Sequence, residues 1–112
     1  MKPDLTEPIQ LCKLLVKKGV RLINISTMMP HYQPYGRGYL AEIEEGSEIH
    51  PYAGTYALLK STKEIKEAVP GGVFVVTGLT WFEQFGGYVG AGGIQQGWFD
   101  ITGFVRQAFA YP

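Results

Sequence analysis

Three segments of the chain share one grammar, and that grammar limits the fold more than anything else in the sequence. GVRLINIST (Gly19–Thr27), GGVFVVTGL (Gly71–Leu79) and GWFDITGFV (Gly97–Val105) each open on glycine, run through β-branched or aromatic residues and close on small or apolar ones. Their interiors are mostly apolar, with little alternation, as expected for parallel strands covered on both faces. A helical stretch precedes each segment. The order α-β-loop-α-β-α-β, followed by the start of another helix, predicts right-handed crossovers and a parallel sheet.

The helices are delimited by familiar end signals. The first is expected over Thr6–Lys18, with Asp4 or Thr6 as cap, Glu7 and Pro8 in the first turn, and Gly19 as the left-handed terminator. Leu11, Leu14, Leu15 and Lys18 fall on one face of it. The second is expected over Thr55–Val69, with Leu58, Ile65, Ala68 and Val69 inward and Lys60/Glu64 and Lys63/Glu67 paired on the wet side. Pro70, Gly71 and Gly72 end it. The third opens on Thr80-Trp81-Phe82-Glu83, which has the spacing of a capping box, and stops at Gly97.

Composition narrows the class. At 112 residues the chain is a single domain at most, 1–112, and ten basic residues balance ten acidic ones, so neither a nucleic acid nor a membrane surface is an expected partner. Its 46% apolar content excludes a disordered chain. The lone Cys12 cannot form an internal disulfide and reads as core filler, which fits a cytoplasmic location. No apolar run reaches the length of a membrane span or resembles a signal peptide.

In a parallel α/β arrangement chemistry gathers at the C-terminal ends of the strands. Two of those ends, Thr77–Gly78–Leu79 and Gly103–Phe104–Val105–Arg106, belong to successive strands, each followed by a helix start. Helix amides, glycines that let an oxyanion approach, and a guanidinium fork together make a phosphate cup, with Arg106 its charged wall. Alternatively, Arg106 begins a helix in solvent. The glycines at 90–93 lie late in a helical segment and precede a strand, so they point to tight packing and not to a dinucleotide fingerprint. A long connection, 28–54, carries His31, Tyr32 and His50. Neither histidine has metal-ligand spacing to a carboxylate or cysteine, so no metal is expected; both read as loop scaffold or ligand contacts. The acidic run Glu42–Glu48 reads as a solvated loop face.

Taken together, INISTMMPHYQP, IKEAVPGG, VVTGLTWFEQF and DITGFVRQAFAYP resemble the C-terminal part of the old yellow enzyme family, FMN-dependent NAD(P)H:flavin oxidoreductases and ene-reductases built on a (β/α)8 (TIM) barrel. Ser26, Pro30 and Tyr32 match the Ser-x-x-x-Pro-x-Tyr loop after the sixth strand of its bacterial branch. The resemblance implies a partial barrel, with Arg21–Thr27, Phe74–Gly78 and Asp100–Phe104 as strands six, seven and eight. It implies that FMN phosphate is held by backbone amides at Gly78, Leu79 and Val105 and by the Arg106 side chain. The family usually has glycine where Val105 stands, a change that keeps the amide donor. His31 and Tyr32 would line the substrate side.

The family's substrate-binding His/Asn or His/His pair, its proton-donating tyrosine and most of the flavin seat come from earlier strands, which these residues do not include. The chain is therefore expected to be a segment of a larger NAD(P)H-dependent enzyme acting on a small unsaturated carbonyl compound, and to be inactive in isolation. It is also expected to form a homo-oligomer through open sheet edges, with Ile23, Ile25, Val75 and Ile101 on an uncovered inner face. The alternative is a non-enzymatic α/β module that binds a phosphorylated ligand or acts only in protein association.

Overall fold

The computed structural model describes residues 4–26, 51–104 and Phe109, with backbone only for Pro51, Tyr52 and Trp81. The elements are α1 (Thr6–Lys17), β1 (Leu22–Ile25), α2 (Pro51–Ala68), β2 (Val73–Thr77), a 3-10 segment (Leu79–Phe85), α3 (Gly86–Gln95) and β3 (Ile101–Gly103). The strands form one parallel sheet in the order β1-β2-β3. All three expected strands are present, each a little shorter than the sequence suggested.

The ends of α1 show why it stops where it does. Asp4 Oδ1 accepts hydrogen bonds from the Thr6 amide at 2.9 Å and the Thr6 hydroxyl at 2.6 Å, so Asp4 secures the start. At the other end Gly19 takes φ +94°, and the amides of Val20 and Gly19 return to the carbonyls of Leu15 and Val16, both at 3.0 Å. That is a Schellman motif, and α3 ends the same way on Gly97.

The face of α1 that packs shares only Leu15 with the expected one. Leu11 and Leu14 are half exposed, while Cys12 is buried with Leu5, Ile9, Leu15 and Val16 packed beside it. The stripe through Leu5, Ile9, Cys12 and Val16 runs the whole helix, whereas the Leu11–Leu14–Lys18 stripe covers only its second half; the longer stripe removes more apolar area from water. Burial raises the Cys12 thiol pKa, which suits an inert packing role.

Helix α2 begins at Pro51, four residues before the expected start, so 51–54 belong to it and not to the connection. Proline costs nothing in a first turn. Its inward side joins Leu58, Ile65 and Val69, as expected, to Thr62, which is fully buried. The Thr62 hydroxyl donates to the Leu58 carbonyl at 2.9 Å, and this bond makes a polar residue acceptable at a core position. Lys63 pairs with Glu67 at 3.4 Å on the exposed side.

The register decides which strand residues meet the helices. Ile23 pairs with Phe74 and Ile25 with Val76, and Val76 with Thr102. Phe74 packs with Cys12, Ile65 and Val69; Val76 packs with Leu58, Leu59, Leu79 and Phe99. Thr102 faces Gly90 of α3. Among the described residues all the helices therefore lie on one face of the sheet. The other face presents Leu22, Val73, Val75 and Ile101, of which Leu22 is 61% and Ile101 44% exposed. Two corrections follow. Among the described residues the strands are covered on one side, not two, and Ile23 and Ile25 lie beneath the helices instead of joining Val75 and Ile101 on the other side. The strand period of two forces that separation.

The expected capping box is not formed. Gly78 caps the 3-10 segment, Thr80 lies inside it, and Glu83 breaks it with φ 49° and ψ −124°. The α-helix starts only at Gly86. The fully buried Leu79 side chain ties the connection down beside the core, and a Cβ at Gly86 would stand 2.8 Å from the Leu79 carbonyl oxygen.

Candidate anion-binding site

The site is built from the C-terminal ends of β2 and β3. Thr77 pairs with Gly103, so the two strand ends lie side by side, one interstrand spacing of about 4.8 Å apart. Amides on two chains that close can both reach a single phosphate group. Immediately after Thr77 the chain passes through Gly78 at φ +100°, a left-handed conformation that a side chain would strain, and enters the 3-10 segment. Gly78 is exposed, whereas the Leu79 side chain is fully buried, so Leu79 can offer a ligand only its backbone.

Space at this end is made by missing side chains. A Cβ on Gly103 would come within 2.7 Å of the Thr77 methyl, and one on Gly90 within 2.7 Å of the Thr102 methyl. Phe104, half-buried, packs into the core cluster of Leu79 and Val76. The glycines of α3 thus serve close packing: Gly86, Gly90 and Gly93 fall on the sheet side, and a Cβ on Gly93 would overlap the Phe99 ring. The helix is drawn onto the sheet, as the sequence led us to expect for 90–93.

Of the residues singled out in the sequence, Gly78 and Leu79 stand at this end of the sheet beside Gly103. Val105, Arg106, His31, Tyr32 and His50 lie outside the described residues. The structure gives Thr77, already named at its strand end, a side-chain place, and adds Asp100. Thr77 places its side chain over Gly103, next to the cup. At the opposite end of β3, Asp100 binds both the Phe74 amide and Lys66, each at 2.8 Å. Spacing alone gave no hint of that pair, since Lys66 and Asp100 are far apart in the chain. Among the described residues no group of three or more histidines, cysteines or carboxylates comes together as a metal centre.

The backbone at this end suits an oxyanion in kind: an exposed glycine at positive φ heading a helical turn, beside a second strand end that is also glycine. No family model, curated protein or solved structure was found to match the chain. Among the described residues no helix is long and apolar enough to cross a membrane.

Proposed function

We propose that this chain is the phosphate-gripping part of an FMN-dependent NAD(P)H oxidoreductase of the old yellow enzyme kind, working in the cytoplasm. The observation that carries the reading is the pairing of Thr77 with Gly103, which aligns the two strand ends that would share one anion. Sequential parallel strands with every described helix on one face support the barrel part of the proposal. A closed (β/α)8 barrel has its helices outside and an apolar sheet face inside, whereas a doubly wound sheet carries helices on both faces.

In this proposal the amides of Gly78, Leu79 and Val105 donate to the phosphate oxygens and Arg106 adds a charge-assisted fork. Thr77 borders the same space and can add a hydroxyl. His31 and Tyr32 line the side where the unsaturated carbonyl substrate sits. Bound FMN would accept hydride from NAD(P)H; these residues hold its phosphate and leave that chemistry to the ring. The sheet face and the outer edges of β1 and β3, which no described residue covers, would bring copies of the chain together.

Titration with FMN and with riboflavin, which lacks the phosphate, tests the reading. FMN is expected to bind, riboflavin to bind far more weakly, and Arg106→Ala to weaken FMN by about tenfold or more, the worth of one charge-assisted hydrogen bond. NADH oxidation by the 112 residues alone is expected to be slight. Equal affinity for the two flavins would exclude a phosphate grip. Binding of inorganic phosphate with no preference for FMN would favour the alternative of a non-enzymatic module. Light scattering after size exclusion is expected to show an oligomer, and a monomer at micromolar concentration would remove the association part.

A further inference from the structure

In a parallel ladder the amide and the carbonyl of one residue both turn to the same neighbouring strand. For Phe74 both are taken by Asp100. The Phe74 carbonyl accepts from the Asp100 amide at 2.9 Å, and the Phe74 amide donates to Asp100 Oδ2 at 2.8 Å. A carboxylate oxygen stands where a strand carbonyl would ordinarily be. The other oxygen, Oδ1, accepts from Lys66 Nζ on α2 at 2.8 Å, so the carboxylate is itself held in place from the helix layer.

We propose that Asp100 is a positioning residue that sets the register of β3 against β2 and thereby keeps Gly103 opposite Thr77 at the anion site. The inference rests on the functional reading above for its purpose, though not for its geometry. β3 is only three residues long and, among the described strands, has β2 as its one neighbour, so its few ladder bonds specify its alignment weakly. A slip of one residue would turn Thr102 to the open face and move Gly103 from beneath the Thr77 methyl. Gly90 and Gly103 permit the observed register by leaving room for Thr102 and Thr77, but a missing side chain imposes nothing. The directional bonds to Phe74 do impose it, at one end of the strand, and the consequence appears at the other.

The test separates the amide bond from the ion pair. Asp100→Asn keeps an oxygen that can accept from the Phe74 amide, and Lys66→Met keeps the carboxylate; Asp100→Ala keeps neither the acceptor nor the pair. In nitrogen-15-labelled protein, Asp100→Asn and Lys66→Met are expected to retain the cross-strand NOEs between Thr77 and Gly103. Asp100→Ala is expected to lose them while keeping those between β1 and β2. FMN affinity should fall by about tenfold in Asp100→Ala and by much less in the other two, because a binding constellation must be held to within about 0.5 Å. Retention of the Thr77–Gly103 contacts in Asp100→Ala, their loss in Lys66→Met, or global unfolding of Asp100→Ala would each overturn the assignment. Wild-type protein that shows the register but binds no FMN would defeat the functional reading and leave the register effect to be judged on the NOEs alone.

Discussion

The two faces of the sheet are made from the same short strands, yet they live in different solvents. Val73 and Phe74 are neighbours in the chain. Phe74 is completely buried among Cys12, Ile65 and Val69, whereas Val73 is 36% exposed on the face that no described helix covers. Both are residues that a strand favours, so propensity cannot tell them apart. What separates them is the pleat, which turns successive side chains to opposite sides, and the described helices, which settle on one. Periodicity in a parallel strand therefore does not say which face the described helices will cover.

The sharpest way to break this contrast is to shorten the two neighbours in turn. Phe74→Ala should cost about 3–5 kcal/mol, because the ring is lost from a packed site and leaves a cavity. That is a large share of the total stability of about 5–15 kcal/mol for a small domain. Val73→Ala should cost less than about 1 kcal/mol, since its methyls are already partly in water. Urea denaturation of the two variants reads the difference directly. Similar midpoints would mean that something covers the open face in solution.

The two sides of α3 repeat the lesson on a helix. A Cβ at Gly93 would overlap Phe99, while at Gly92 nothing lies within 4 Å. Gly93→Ala should therefore destabilise by about 1–3 kcal/mol through overpacking. Gly92→Ala should stabilise by about 0.5–1 kcal/mol, because alanine loses less backbone freedom on folding. Thermal unfolding should move the two melting temperatures in opposite directions. A shared direction would show that α3 does not seat on β3 as described.

Much of this was legible in the residues, and what was missed has physical causes. Each of the glycine-led segments became a strand, and Gly19 closed its helix at φ +94°. Those signals are local: a Cβ-free residue where the chain must turn left-handed, and a β-branched run between breaks. The inward stripe of α1 was misjudged because two apolar stripes compete on that helix and only contact with the sheet chooses between them. The capping box at Thr80 failed because burial of Leu79 fixes the turn with Gly78 as its cap, two residues earlier, a tertiary demand that overrides a local pattern. At the site, sequence order suggested that the ends of β2 and β3 neighbour each other, and the sheet places them together. The residues that border and brace it, Thr77 and Asp100, act through contacts whose partners lie more than twenty residues away, which no spacing rule reaches.

The smallest expected effect concerns the bracing of the covered layer to the sheet edge, and it is read through pH. Burial alone would raise the Asp100 pKa, but the hydrogen bonds from Lys66 and the Phe74 amide and the Lys66 charge outweigh it, so the folded value lies below the ordinary carboxylate one. A carboxylate whose pKa is depressed by folding contributes stability that is present above its unfolded pKa, about 3.9. That contribution is lost as pH falls through the lower folded value. Lys66→Met removes the partner and should bring the Asp100 pKa back up. Wild type and Lys66→Met should therefore differ most in melting temperature near neutrality and converge as pH drops below about 3.9, where the unfolded chain is already protonated. The gap should be modest, because both side chains keep contact with water, at 26% and 33% exposure. A gap that stayed constant down to the acid limit would assign Lys66 a packing role only, and the tie between α2 and the base of β3 would then rest on the Phe74 amide alone.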